Sequence, residues 1–276
     1  MSEDLVSTTK SYYDSPDADE FYYHVWGGED IHVGLYKGPD HAIKDASKKT
    51  VAKMISMLDN ADENTTILDI GAGYGGAARH IVSEVGCHVT CLNLSDKENA
   101  RNVEKNKAAG LDNNIDVVGG NFEDLPFDDN QFDMVWCQDS ILHSSRKAKV
   151  IEEVSRVIKD GGTFIFTDPM QSDDCPEGVL GPILERIHLE EMGSVKEYRR
   201  MAAENGFEEV EILEMPEQLI NHYSRVKSEL LTKKESLKGI CSDEYMDRME
   251  KGLTHWIEGG KAGHLNWGIL KFRKKG

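Results

Sequence analysis

The sequence predicts an α/β fold: a doubly wound, mostly parallel seven-stranded sheet flanked by helices, with an N-terminal lid and a helical cover insertion. Three observations predict it. Short apolar runs of strand character alternate with segments of helical period, the rhythm of parallel strands joined by crossover helices. One such run, Ile67-Leu68-Asp69-Ile70, passes directly into the glycine-dense turn Gly71-Ala72-Gly73-Tyr74-Gly75-Gly76 and then a helix, a join that lets backbone approach a ligand where a Cβ would collide. The rhythm lapses over 170–192 and 216–264, which suits segments covering the carboxyl edge of the sheet, where ligands bind in such folds.

The elements follow in order. The first forty residues are rich in aromatics and turn formers, Tyr12-Tyr13 and then Phe21 to Gly28, and read as a short helix and a lid over 1–39. From Asp40, a candidate N-cap, to Leu58 the residues Ala42, Ala46, Val51, Met54, Ile55 and Leu58 recur at helical spacing. After the glycine turn come a helix from Gly75 to about Val85, a strand His88 to Leu92, a helix from about Lys97 to Ala109 and a strand Ile115 to Val118. Phe132 to Cys137 is the next strand, Ala148 to Val157 a helix, Asp160-Gly161-Gly162 a turn, and Thr163 to Thr167 a strand. A helix from Ser194 to Glu204 stops at Asn205-Gly206, and Glu208 to Met215 and Leu265 to Phe272 supply the last strands. The division expected is a lid over 1–39, a nucleoside-binding core over 40–215 with its cover segment 170–192, a helical cover over 216–264, and a returning strand over 265–276.

Composition narrows the function classes. A formal charge of −18 argues against a nucleic-acid partner, since phosphate binding needs a positive surface, and it suits solubility at high salt. No apolar run approaches the roughly 20 residues of a membrane span, and Met1-Ser2-Glu3-Asp4 is no secretory signal. Cys87, Cys91, Cys137, Cys175 and Cys241 make no CxxC pair and lack the histidines of a zinc site. Reduced thiols, no metal and a cytoplasmic location are therefore expected. The oligomeric state is left open, a homodimer among the options.

The candidate chemistry clusters at strand ends. Asp69 stands two residues before the first glycine, where a carboxylate would repel a pyrophosphate and attract a sulfonium or an ammonium. The turn with Gly71 and Gly73 is thus expected to hold S-adenosylmethionine rather than NAD. About 20 residues on, where such folds usually keep an acidic residue for ribose hydroxyls, the second strand ends at Asn93; its amide can still accept and donate a hydrogen bond, or it can simply cap the turn. In the loop after the third strand Asn121 can bond an adenine amino group and Phe122 cover the ring, against a plain polar turn with a core phenylalanine. Gln138 ends the fourth strand beside the expected methionine end, and His143 follows about a turn later, facing the same cleft or serving as a structural histidine.

Taken in order, these motifs resemble the class I S-adenosylmethionine-dependent methyltransferases over about Thr65 to Met215. A wider set resembles the sarcosine and dimethylglycine N-methyltransferases, which make glycine betaine, nearly end to end. That set is Tyr13-Asp14-Ser15, Trp26 to Tyr36, Gln138-Asp139 to His143, Thr167-Asp168-Pro169-Met170 and His255-Trp256-Ile257-Glu258-Gly259-Gly260. The resemblance implies a Rossmann-like core, cofactor contacts at Gly71, Gly73, Asn93, Asn121, Phe122 and Gln138, and an acceptor segment at Pro169 and Met170. Asn93 departs from the acidic residue of the broad superfamily, which puts ribose affinity in question and leaves the cofactor's identity alone.

An amine acceptor must lose its ammonium proton before it can attack a methyl group. His143 or a lid tyrosine, Tyr12, Tyr13 or Tyr22, is the candidate base, and desolvation is the alternative. Arg186 is the candidate partner for an amino-acid carboxylate, and Tyr22, Trp26 and Trp256 suit a methylated ammonium through cation–π contact. Three other readings stay open: a methyltransferase acting on phosphoethanolamine or another small amine, a nucleoside-binding module without turnover, and an NAD-dependent oxidoreductase.

Overall fold

A computed structural model describes residue 7 and residues 10–276. The strands are β1 (Thr66–Ile70), β2 (His88–Asn93), β3 (Ile115–Gly119), β4 (Phe132–Gln138), β5 (Ile158–Gln171), β6 (Phe207–Glu214) and β7 (Leu265–Lys274). The main helices are α1 (Pro16–Phe21), α2 (Ile43–Ile55), α3 (Gly76–Val85), α4 (Asp96–Ala109), α5 (Lys147–Val157), α6 (Gly181–Ile187), α7 (Val195–Glu204), α8 (Pro216–Lys233) and α9 (Asp243–Lys261). The strands form one seven-stranded sheet in the order β3-β2-β1-β4-β5-β7-β6. Strands β1 to β5 pair in parallel, and β7 runs antiparallel between β5 and β6. The chain steps outward from β1 to β3 and then returns to the other side of β1 for β4. The carboxyl ends of β1 and β4 are therefore the switch point at which such sheets open a ligand crevice.

Alternation along each strand divides the core. Leu68, Ile70, Val135, Phe164 and Phe166 face α5 and α7 on one side, while Ile67, Val89, Trp136 and Ile165 face α2 and α3 on the other. A third cluster lies above the sheet edge and joins Phe21, Val25 and Trp26 of the N-terminal region to Leu219, Tyr223 and Val226 of α8 and Tyr245, Met249, Leu253 and Trp256 of α9. Each such side chain contributes roughly 1.5–3 kcal/mol when fully buried. The N-terminal segment and helices α8 and α9 thus share one apolar core.

Several boundaries differ from the sequence-based expectation, each for a local reason. Helix α2 begins at Ile43, because Ala42 is still extended (φ −63°, ψ 139°) and Asp40 does not cap it. The Asp160-Gly161-Gly162 turn is instead a bulge inside a continuous β5: Phe132 pairs with Ile158 and Met134 with Thr163, and Gly161 takes φ +76° to absorb the extra residues. Strand β5 also runs past Thr167 to Gln171, since β7 pairs with it as far as Gln171 with Leu265. Helices α4, α7 and α9 start where Ser95, Ser194 and Ser242 accept the amide hydrogens of Glu98, Glu197 and Tyr245.

Candidate active site

A cleft of about 1000 Å³, counting its open part, lies over the carboxyl ends of β1, β2 and β4. The turn after β1 forms its floor. Gly71 has φ +77°, and a Cβ there would come 2.4 Å from Ser140 Oγ, so any side chain would push β1's exit off the loop after β4. Gly71 and Ala72 both donate their amide hydrogens to Leu92 O, which holds the turn against β2.

Among the described residues, the cleft is lined with buried polar atoms that have no partner. Asp69 is 2 % exposed and its Oδ2 is unpaired. Burial pushes its carboxyl up to about 7; Asp30 adds to the rise and His32 opposes it. His32 Nε2 stands 3.6 Å from Asp30 Oδ1, an ion-pair distance too long for a hydrogen bond, and both atoms lack another partner. Gln138 accepts from Trp136 Nε1 at 3.1 Å through Oε1 and leaves Nε2 buried and unsatisfied. Orphaned polar groups of this kind are costly in an interior. Carboxylates at one spot and an amide donor close by match a ligand that carries an ammonium, a sulfonium and a carboxylate.

Asn93 and Glu98 act as a unit. Asn93 Nδ2 donates to Glu98 Oε2 at 2.8 Å, and Glu98 Oε1 is buried without a partner at the cleft wall. Burial pushes the Glu98 carboxyl up to about 7, and Asn93 restrains the rise. The carboxylate absent at position 93 is thus supplied five residues later from the first turn of α4. Ser95-x-x-Glu98 has the spacing of a capping box, and that spacing disguises the residue: Ser95 does cap, but Glu98 turns back toward Asn93 and the cleft. Glu98→Ala is expected to weaken nucleoside binding about tenfold, and Glu98→Gln by less than half that on a logarithmic scale, as measured by titration.

Asn121 and Phe122 also line the cleft. Asn121 Oδ1 accepts from Glu123 N at 2.9 Å, so the side chain braces its own turn and keeps Nδ2 for a ligand. Phe122 is half-buried and packs against the core beneath.

A second chamber opens off the cleft beneath the cover. Its walls include Tyr13, Tyr22, Trp26, Asp139, His143, Pro169, Arg186, Tyr223 and Trp256. Tyr13, Ile31, Asp139 and His143 border both spaces. At this junction the Tyr13 hydroxyl and His143 Nε2 are 3.0 Å apart. His143 ends a 3₁₀ turn, Ile141–His143, which is fixed by Leu142 N donating to Asp168 Oδ1 at 2.9 Å while Tyr198 Oη donates to Asp168 Oδ2. Asp139, with φ 51°, accepts from Val33 N at 2.6 Å, Thr167 Oγ1 at 2.7 Å and Trp267 Nε1 at 2.8 Å, tying the lid to the sheet edge.

Protonation states follow from burial. Burial lowers the His143 imidazole to about 4, and Lys147 and Arg186 add to the fall. Burial raises the Tyr13 and Tyr22 phenols well above their ordinary range. Neutral His143 offers a lone pair or an N–H, and both phenols keep their protons at neutral pH. Tyr22 accordingly can orient a ligand here but not take its proton. Its hydroxyl is 3.3 Å from that of Tyr12, which also meets Tyr245 Oη at 3.0 Å.

The sequence-selected residues therefore gather in two connected spaces, with two exceptions: Tyr12 lines only the wider opening beyond the chamber, and Met170 lies in the core. Pro169 lines the chamber, whereas Met170 is fully buried in the core against the α5 and α7 side of the sheet. Adjacent strand residues point to opposite faces, so only one of the pair can reach the chamber. Glu98, Asp30, His32 and Asp139 were not singled out individually from sequence. Asp30 and His32 lie inside the Trp26 to Tyr36 stretch that carries the resemblance, without an individual signal there, and they border the cleft with Asp69 because that stretch packs over the glycine turn.

Comparison with known proteins gives a consistent result. Residues 68–166 match the family model described as a methyltransferase domain. The sarcosine/dimethylglycine N-methyltransferase of Aphanothece halophytica is 52% identical over 270 residues, 98% of each chain. That of Halorhodospira halochloris is 50% identical over 272 residues, 99% of this chain and 98% of its own. The crystal structure of a candidate sarcosine dimethylglycine methyltransferase from Galdieria sulphuraria superposes with a TM-score of 0.91 at 46% identity, covering 96% of this chain and 99% of that one.

Proposed function

This chain belongs to the sarcosine/dimethylglycine N-methyltransferase family, and from that premise we propose that it moves methyl groups from S-adenosylmethionine to the amine of sarcosine and dimethylglycine, ending in glycine betaine. One observation carries the reading: a cleft with unpartnered carboxylates and an aromatic chamber with a guanidinium meet at Tyr13 and His143.

The cleft fits the cofactor on its orphaned atoms. Asp69, with the Asp30–His32 pair beside it, and Gln138 would hold the amino-acid end; Glu98 with Asn93 the ribose; Asn121 and Phe122 the base; and Gly71 and Gly73 leave room for backbone contact. When bound, S-adenosylmethionine supplies a methyl group made electrophilic by positive sulfur. The protein's own contribution is alignment and dryness, and aligning reacting atoms is worth several kcal/mol.

Tyr13 and His143 stand where nitrogen must approach, and we assign them the orientation of the amine. His143 keeps its lone pair above pH 4 and accepts an N–H or the Tyr13 hydroxyl hydrogen. Such a weak base does not store the ammonium proton. Burial in the chamber and the positive charge of Arg186 favour the neutral amine instead. Tyr22, Trp26 and Trp256 line the chamber, and their rings suit the cationic product through cation–π contact.

Arg186 takes the acceptor's carboxylate in this reading; among the described residues its Nη2 meets only Met249 Sδ, at 3.0 Å. Arg186→Ala is expected to raise the acceptor KM 10- to 100-fold with cofactor affinity held. Unchanged steady-state kinetics would remove the residue from the site. A methyl-transfer assay across glycine, sarcosine, dimethylglycine and phosphoethanolamine tests the function itself. Turnover with sarcosine and dimethylglycine is expected, and turnover confined to phosphoethanolamine would overturn it. A cytoplasmic location belongs to the same proposal. It is supported by five free cysteines and by the lack, among the described residues, of a helix long and apolar enough to cross a membrane.

A further inference from the structure

The acceptor chamber continues outward into a wider vestibule between α6 and α9, with Tyr13, Tyr22, His143 and Arg186 shared by both spaces. Its ionisable rim is basic: Arg186, His188, Arg248, Lys251 and His255 against the single acid Glu185. This is unexpected on a chain with 32 Lys and Arg against 50 Asp and Glu. Arg248 lies over the Tyr245 ring at 5.1 Å and Arg186 turns to Met249 Sδ. Among the described residues, neither of them nor Lys251 has a carboxylate within 4.0 Å.

A second observation concerns the innermost cation. Gly252 sits buried inside α9, where glycine weakens a helix relative to alanine. A Cβ there would stand 2.7 Å from Arg186 Nε and 2.8 Å from its Cδ and Cζ. The helix gives up a side chain at the one place where the guanidinium crosses it, which keeps Arg186 at the border between vestibule and chamber.

We propose that this vestibule is a carboxylate-selecting entrance: Arg186, Arg248 and Lys251 hold the acceptor's carboxylate outward while its amine points in, and amines without a carboxylate are turned away. The proposal deepens the acceptor reading above and rests on it. An N-methylated amino acid is a zwitterion, so the overall charge of −18 neither draws nor repels it strongly. Only a local array of one sign can orient such a dipole, and its field decays within about 10 Å at 0.1 M salt. The same cations repel a bare ammonium, which gives discrimination by repulsion as well as attraction.

The test uses the full chain and two acceptors that differ only in the carboxylate, dimethylglycine and 2-(dimethylamino)ethanol. Arg248 and Lys251 are exposed on α9, so the double variant R248E/K251E is expected to fold, with its Tm as the check. It should bind dimethylglycine about tenfold more weakly by titration in the presence of S-adenosylhomocysteine. The ratio of kcat/KM for dimethylglycine over the amino alcohol should fall by at least as much, with S-adenosylhomocysteine affinity unchanged. Lys107→Gln on α4, away from the vestibule, should alter neither. Gly252→Ala, which changes no charge, should raise the dimethylglycine KM by displacing Arg186. Wild-type activity on dimethylglycine with an unchanged ratio in R248E/K251E overturns this proposal alone. Wild-type protein that neither binds nor methylates dimethylglycine overturns the acceptor reading, and the entrance with it.

Discussion

His143→Ala is expected to lower kcat about 10²- to 10³-fold, with the Kd for S-adenosylhomocysteine within about threefold of wild type. The imidazole and the Tyr13 hydroxyl, 3.0 Å apart, form a hydrogen-bonded pair that borders cleft, chamber and vestibule alike. Removing the ring takes away the partner of the Tyr13 hydroxyl and opens space at the junction of cleft and chamber, the point proposed above for alignment of nitrogen, methyl and sulfur. Tyr13→Phe, which keeps the ring, should show a smaller fall in kcat. The pH profile separates positioning from proton storage. Because burial lowers His143 to about 4, its titration is complete before neutral pH. The rise of kcat/KM toward alkaline pH then reports loss of the acceptor's own proton. That rise should persist in His143→Ala at the reduced level, and its disappearance would show that His143 is the proton acceptor after all. Single-turnover rates at saturating acceptor and cofactor give the comparison free of product release, and an unchanged rate would remove the pair from the reaction.

Asp69→Asn is expected to weaken S-adenosylmethionine binding about 10²-fold, a loss of roughly 3 kcal/mol, because it removes one partner of a buried charge pair. The pH dependence carries a sign. Burial raises the Asp69 carboxyl to about 7, above its unfolded value near 4. In the free protein this group's contribution to stability is fully present below about pH 4 and is lost as pH rises through about 7, where an unpaired carboxylate must be buried. A cationic ligand favours the ionised form. Cofactor affinity should therefore climb with pH between about 5 and 7 and level off above, with protons released on binding in that window. Asp69→Asn should bind weakly with a flatter profile, and the ligand-free variant should lose less stability than wild type over the same range. Calorimetric titration in buffers of different ionisation enthalpy measures the proton release. Equal affinities for wild type and variant at pH 8 would detach Asp69 from the cofactor.

The legible parts of this protein are those written in short-range pattern. Strand runs such as Ile67–Ile70 and Phe132–Cys137 stand out because a short apolar run between helical segments, each broken by one aspartate (Asp69, Asp133), fits a strand largely buried on both faces, and β1 and β4 are found there. Ser194 marks a helix start because a side-chain oxygen satisfies amide groups that the helix leaves free. The Asp160-Gly161-Gly162 segment misleads because a turn and a bulge ask for the same residues, and only the strand beside it decides between them. Pro169 and Met170 cannot be separated without knowing how far β7 extends β5, which sets the face each one takes. Glu98 is hidden by the capping spacing it shares with Ser95.

From its residues alone the chain determined the alternating sheet, the glycine turn beside Asp69 and the family resemblance, because backbone preference and side-chain period are local and survive without knowledge of neighbours. Tertiary structure decided which residues share a space. Asp30 and His32 come together beside the glycine turn and line the same cleft as Asp69, Glu98 brings a carboxylate to Asn93, and Gly252 makes room for Arg186 only once α6 and α9 are packed together. Those contacts join residues far apart in sequence or turned by one residue of strand register. The free energy that fixes them is burial shared by many side chains, which no short window of sequence contains.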